Sequence, residues 1–199
     1  MNAISKFLAA SALALPMVAH ASIFQFNASL SGANEVLTAA PGGPGAGVAT
    51  LFYNDAGTAA LTDDTYNFSM SVFGLSPAGA TAYHIHGAAN TAQNGPVRVS
   101  LDAAPFVAFN SGGTLLVGGS NVAAPTALFS NGPYSNLSFR DMLFGGLAYV
   151  NVHTAANPGG AVRGQLLQVA VVPEPETYGM LLAGLALIGT VVRRRKLKA

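Results

Sequence analysis

The stretch Tyr66-Asn67-Phe68-Ser69-Met70-Ser71-Val72 alternates large apolar side chains with small polar ones, and this pattern decides the fold class. Successive side chains of a β-strand point to opposite faces, so a period of two predicts a half-buried strand. Residues 24–30, which read FQFNASL, show the same period. The chain therefore contains strands with one face turned to a core.

Working outward, the same period and the Gly, Pro and Asn turns around it predict further strands, at 48–53, 83–86, 97–101, 147–153 and 161–171. Residues 58–61 are predicted to continue the second strand, and 106–109, 114–117 and 127–129 fit short strands or packed loop. One helix is predicted at 136–144, with Ser138 as its N-cap and Gly145 at its end. Many short strands and one helix predict an all-β antiparallel sandwich or barrel.

Charge and cysteine content exclude several classes of function. Residues 22–172 contain three arginines, no lysine and six carboxylates, a net charge of −3, whereas the positive charge of the chain lies near its ends. Nucleic-acid binding needs a basic surface, so a nucleic-acid partner is excluded. The absence of cysteine excludes disulfides, thiolate catalysis and Cys-ligated metals.

Residues 1–21 have the three parts of a secretory signal peptide. Lys6 supplies the positive region, residues 7–18 the apolar region, and Ala19-His20-Ala21 a small-x-small cleavage site before Ser22. Signal peptidase is therefore an expected partner, with cleavage between Ala21 and Ser22. His20 leaves with the peptide.

Residues 172–199 form a second targeting segment. Pro173-Glu174-Pro175 precedes the apolar stretch 177–192, and a basic cluster at 193–198 begins with Arg193, Arg194, Arg195 and Lys196. A helix over 177–192 would be about 24 Å long, a short span for a hydrocarbon core of about 30 Å. The basic cluster would stop transfer and hold the C-terminus in the cytoplasm, with the domain outside.

This tail resembles the PEP-CTERM sorting signal of Gram-negative bacteria, in which Pro173, Glu174 and Pro175 match the motif. The resemblance implies an exosortase-type enzyme that recognises and removes the tail. It also implies transient anchoring in the inner membrane with the domain in the periplasm. The protein would then pass to the cell surface or the extracellular matrix, with exopolysaccharide or surface proteins as partners.

Two histidine-bearing stretches are the candidates for chemistry. In Tyr83-His84-Ile85-His86-Gly87 the two imidazoles share one strand face, and in 149–154, which reads YVNVHT, His153 shares a face with Tyr149 and Asn151. Three imidazoles suit zinc or copper with a fourth position open. A shared metal requires His153 to come within about 4 Å of the pair. The alternative is structural, with the histidines hydrogen-bonded to backbone and pinning loops.

Six blocks in order resemble the CHRD domain, named from chordin: 30–36 (LSGANEV), 84–87 (HIHG), 94–97 (NGPV), 149–154, 157–160 (NPGG) and 162–166 (VRGQL). The resemblance covers about 24–169 and implies an immunoglobulin-like β-sandwich or barrel without implying a reaction. Leu37 and Ala161 depart from the family, which usually has proline and glutamate at these positions. Domains are therefore expected at 1–21, 22–171 and 172–199.

Two hypotheses of function follow. The first is a non-enzymatic, exported surface or matrix module that binds or scaffolds and needs no cofactor. The second is a secreted copper- or zinc-binding metalloprotein, similar in its His-x-His strand to superoxide dismutase. Asp55, Asp63 and Asp64 lack the spacing of a calcium loop and are expected to be solvated turn residues. Glu35 and Arg163 could form an ion pair between strands.

Overall fold

The structure, a computed structural model, describes residues 21–36 and 42–170 together with the single positions 182, 184, 185 and 188. Within residues 21–170, strands dominate, and one turn of 3₁₀ helix (Gly32–Asn34) follows the first. The strands are β1 (Ile23–Ser31), β2 (Ala46–Asn54), β3 (Thr65–Phe73), β4 (Ala82–His86), β5 (Val97–Ser100), β6 (Val107–Ser111), β7 (Thr114–Ala123), β8 (Phe129–Asn131), β9 (Tyr134–Leu137), β10 (Tyr149–His153), β11 (Val162–Gln165) and β12 (Leu167–Gln168); helix α1 is Phe139–Phe144.

Ten of these strands form one antiparallel sheet that curls into a half-barrel. Its order is β5-β4-β10-β11-β1-β2-β3-β7-β6, and β12 also pairs with β1. Strands β8 and β9 form a separate hairpin. The all-β antiparallel prediction is confirmed, and the topology places the two histidine strands, β4 and β10, side by side.

The core forms as the period of two predicts. On β3 the alternate residues Tyr66, Phe68, Met70 and Val72 are buried. Helix α1 closes one side of this core, because Phe139 lies with its ring centroid 5.6 Å from that of Tyr66. Removing such large apolar side chains from water is the main source of stability in a domain without disulfides.

The helix starts three residues later than predicted. Ser138 is the N-cap as expected, and it forms a capping box with Asp141, while Gly145 is the C-cap. Asn136 belongs instead to β9, with a positive φ of 54°. The cap residues were therefore the reliable part of the prediction, because their hydrogen bonds fix where the backbone turns into a helix.

Other boundaries also differ from the sequence interpretation. Residues 58–61 are turn and bend rather than strand. The predicted strand 161–171 is two strands, β11 and β12, that pair with β1 in different places. Asp64 is not a solvated turn residue: it is 1% exposed and pairs with Arg140.

The predicted signal peptide (1–21, apart from Ala21) lies outside the described residues. The Pro173-Glu174-Pro175 motif, the basic residues Arg193, Arg194, Arg195 and Lys196, and most of the predicted membrane helix 177–192 also lie outside them. Leu182, Gly184, Leu185 and Ile188 are helical. Among the residues that the structure describes, no helix combines the length and apolar character needed to cross a membrane.

Candidate metal centre

Strands β4 and β10 bring the three histidines to one face of the sheet. In the antiparallel register, Asn151 lies opposite His84 and Tyr149 lies opposite His86. His153 is two residues beyond Asn151 and therefore points to the same side. The intervening residues Ile85, Val150 and Val152 are fully buried in the core on the other side. The apolar alternation thus fixes the direction of the imidazoles.

The three imidazoles converge on one point. One ring nitrogen from each of His84, His86 and His153 lies within 4.8 Å of the other two. The ring centroids are 5.4 Å apart for His84 and His153, and 5.9 Å apart for His86 and His153. The structure therefore brings together all three histidines that the sequence singled out.

In each ring one nitrogen, here called the outer nitrogen, points away from the other two rings. In two of the histidines this outer nitrogen contacts a backbone carbonyl oxygen. His86 Nδ1 lies 2.9 Å from Gly95 O, and His153 Nδ1 lies 2.9 Å from Pro158 O. Because a carbonyl oxygen can only accept, both Nδ1 atoms must carry the proton, which leaves Nε2 as the lone-pair nitrogen. His84 Nε2 lies 3.9 Å from Asp102 Oδ2, so its Nδ1 faces the other way.

The inner nitrogens, which point towards the other two rings, have no hydrogen-bond partner among the residues that the structure describes. His84 Nδ1, His86 Nε2 and His153 Nε2 are all buried and make no hydrogen bond. Burial lowers the pKa of His86 to about 4, and it also lowers the pKa values of His84 and His153. All three imidazoles are therefore neutral near pH 7, the form that binds metal ions.

These distances are somewhat wider than a bound metal requires. Zinc–nitrogen bonds of about 2.0–2.1 Å place tetrahedral ligand nitrogens about 3.3–3.4 Å apart. Nitrogens within 4.8 Å of one another would each move inward by about 1 Å or less to reach this spacing. The donor set of three neutral imidazoles fits zinc and copper.

An aromatic and cationic stack supports the site from the next strand. The His86 ring lies 5.0 Å from the Tyr149 ring at an interplanar angle of 15°. The guanidinium of Arg163, a residue of β11, lies 3.5 Å from the centroid of the Tyr149 ring. Both contacts hold the His86 ring in one orientation, because stacking and cation–π geometry restrict rotation.

The loop between β4 and β5 closes over this stack. Arg163 is 1% exposed and donates to the carbonyls of Gln93 and Asn90, and to the side chain of Asn94. Gly95 lies so close to the chain that an added Cβ would meet the Gly87 carbonyl carbon at 2.9 Å. The close packing of Gly95 therefore brings the Gly95 carbonyl oxygen to His86 Nδ1.

Glu35 lies beside the site, and no salt bridge joins it to Arg163 among the described residues, where the carboxylate–arginine pair is Arg140–Asp64. Burial raises the pKa of Glu35 to about 7, against the opposing effects of Arg163 and of a hydrogen bond with Asn151. Its Oε1 atom is buried without a partner. The predicted ion pair between strands is thus a weaker, longer-range interaction, and Arg163 is satisfied by neutral oxygens.

The predicted cleavage site lies at the edge of the described domain. Ala21 and Ser22 directly precede β1, and the Ser22 amide donates to Asp55 Oδ1 at 2.8 Å. Asp63 is exposed and accepts a hydrogen bond from the Thr58 hydroxyl, as expected of a turn residue.

Sequence reasoning missed the groups that orient the histidines. Asp102 falls in a segment of weak pattern, and the Gly95 and Pro158 carbonyls are backbone atoms that no side-chain motif reveals. The signal that could have found the carbonyls is the pair of Gly/Pro turns, which lie after each histidine strand. Only the fold shows that these turns bend back onto their own histidines.

The comparisons with known proteins give two matches to family models. The CHRD domain model matches residues 26–166, and the PEP-CTERM protein-sorting motif matches residues 171–196. No curated protein and no solved structure matches the chain. The sorting motif implies processing by an exosortase-type enzyme, membrane anchoring during export, and sorting to the cell surface.

Proposed function

Because this chain belongs to the CHRD domain family and carries a PEP-CTERM sorting motif, we propose that it is an exported surface module that binds one divalent transition-metal ion. The ligands are His84, His86 and His153, and the ion is zinc or copper. The module is non-enzymatic: it holds the ion and does not turn over a substrate.

One observation carries the proposal: in each ring, one nitrogen faces an oxygen of the protein and the other has no hydrogen-bond partner. The outer nitrogens face carbonyl or carboxylate oxygens, whereas the inner nitrogens are buried and without partners. Metal-binding histidines have this arrangement, since the outer contact fixes the tautomer and the ring orientation. Histidines that only pin loops would use their inner nitrogens too, because an unsatisfied buried polar atom costs about 1–3 kcal/mol.

The finer route to the surface is part of the proposal. Signal peptidase would remove residues 1–21, the tail would hold the domain in the periplasm, and the processed protein would reach the outer surface or matrix. There it would meet exopolysaccharide or other surface proteins. Fractionation of a host that makes exosortase tests this route: the protein is expected in the surface fraction, and retention in the cytoplasm would contradict it.

Isothermal titration of the purified metal-free chain with Zn(II) or Cu(II) tests the metal site. One saturable equivalent is expected for the wild type, and His86→Phe, which keeps ring and stack, should lose it. Asp63→Asn removes an exposed carboxylate on a turn and serves as the control with unchanged affinity. No saturable binding by the wild type sinks the proposal, and superoxide dismutation by the copper-loaded chain would instead favour an enzyme.

A further inference from the structure

Buried polar atoms without a hydrogen-bond partner concentrate beside the histidines. In the part of the chain that the structure describes, seven such side-chain atoms occur. Two belong to Gln93 and Arg98, and the other five belong to Glu35, His84, His86, Asn151 and His153. Unpaired buried atoms are normally rare and scattered, so their concentration here marks this group of side chains as a candidate binding site.

Asn151 lies in the middle of this group. It is 3% exposed, and its cross-strand neighbours are His84 on one side and Arg163 on the other. Directly opposed residues of an antiparallel pair have Cβ atoms about 4.5–5.5 Å apart. His153 follows on the same strand face, about 7 Å along β10. The Asn151 side chain therefore stands among the same imidazoles that converge.

The amide oxygen of Asn151 is the unpaired atom of this side chain. Asn151 Oδ1 is buried and makes no hydrogen bond with any residue that the structure describes. The Glu35 carboxyl group, which directly follows the 3₁₀ turn, lies near the Asn151 side chain.

We infer that Asn151 Oδ1 is the fourth ligand of the metal centre, completing a closed site of three imidazole nitrogens and one amide oxygen. The inference rests on the proposed function and specifies its site. Glu35 lies beside this ligand, and Gly160 leaves room for its side chain, because a Cβ added at Gly160 would lie 2.5 Å from the Glu35 carboxylate.

A closed site of this composition selects the class of ion. Three imidazoles with a hard oxygen, and no sulfur ligand, favour Zn(II), Co(II) or Cu(II) over Cu(I). Four protein ligands leave no open position for a substrate or an added anion, which is the pattern of a structural or storage site rather than a catalytic one.

Cobalt(II) provides the test, because its visible spectrum reports coordination. The wild-type chain is expected to bind one Co(II) with a tetrahedral spectrum that does not change when azide is added. Asn151→Leu should bind Co(II) about tenfold more weakly or worse, and its spectrum should shift with azide because a position has opened. Asn67→Leu, on strand β3 far along the sheet order, is the matched control and should behave as the wild type.

The outcomes separate the inference from the proposed function. Azide that shifts the wild-type spectrum as it shifts that of Asn151→Leu overturns the inference and leaves the three-histidine site intact. Failure of the wild type to bind Co(II), Zn(II) or Cu(II) overturns both. If Asn151→Leu does not fold, Asn151→Asp decides: a carboxylate ligand should tighten Co(II) binding about tenfold without azide sensitivity, and unchanged affinity contradicts the inference.

Discussion

The domain contains two buried polar clusters that differ in one respect, the satisfaction of their polar atoms. In the first, Asp64 accepts hydrogen bonds from Arg140 and from the Tyr53 hydroxyl. In the second, His84, His86 and His153 turn unpaired nitrogens towards one another. Burial alone therefore does not distinguish a structural cluster from a ligand site; whether the chain supplies every partner does.

The Asp64 cluster joins helix α1 to the turn between β2 and β3. Arg140 donates from Nη2 to Asp64 Oδ1 at 2.7 Å and from Nε to Oδ2 at 3.1 Å, a bidentate contact. Burial and the neighbouring carboxylate raise the pKa of Tyr53 above its usual range, so it remains a donor. The charge is neutralised and the lone pairs are filled, which is the condition under which a buried ion pair is tolerated.

The largest effect on stability is expected from breaking this satisfied cluster. Arg140→Ala leaves the Asp64 carboxylate buried without a cation and should lower the free energy of unfolding by about 3–5 kcal/mol. Urea denaturation of the purified chain measures it. Arg140→Lys, which keeps the charge but not the bidentate fork, should lose less. A loss below about 1 kcal/mol for Arg140→Ala would mean that Asp64 finds other partners and that the two clusters are alike.

In the histidine cluster, metal binding should change the free energy of unfolding more than substitution of a histidine does in the metal-free protein. Zn(II) at a hundred times its dissociation constant should raise the free energy of unfolding of the wild type by about 2.7 kcal/mol. His86→Phe keeps an aromatic ring and removes both the unpaired Nε2 and the Nδ1 contact with Gly95 O, so the metal-free protein should lose only about 1 kcal/mol, the value of one hydrogen bond. Denaturation of both proteins with and without Zn(II) checks this. A stabilisation by Zn(II) that survives in His86→Phe would contradict the assigned ligands.

The contrast between the two clusters also explains which parts of the fold and of the site could be predicted from the sequence. The alternation in 66–72 and 24–30 predicted strands that exist, and the shared face of His84 and His86 followed from strand geometry. Their proximity to His153 depends on β4 pairing with β10, which are separated by more than sixty residues of chain. The same limit hid the partner of Asp64, because Arg140 is brought to it by packing of α1 and not by any local pattern.

Substitution of an exposed polar group whose hydrogen bonds are satisfied should change the free energy of unfolding least. Asp141 is an example of such a group. Hydrogen bonds from the Ser138 side chain, and then from its backbone, lower the pKa of Asp141 below its usual value in the capping box of α1. The unfolded chain therefore binds a proton here more readily than the folded protein does. The stabilisation is complete above the unfolded pKa of about 3.9 and is lost as pH falls through the lower folded pKa.

Asp141→Asn should consequently lower the free energy of unfolding at pH 7 by about 0.5–1 kcal/mol, the value of a solvent-exposed cap. It should also flatten the dependence of stability on pH below about 4, because the group that titrates is gone. Urea denaturation between pH 2.5 and 7 measures both effects. Ser138→Ala should flatten the same acid limb, since its hydroxyl is the main cause of the lowered pKa. If Asp141→Asn lowered the free energy of unfolding as much as Arg140→Ala does, solvent exposure would not determine the size of the effect. The distinction between buried and exposed satisfied groups would then be wrong.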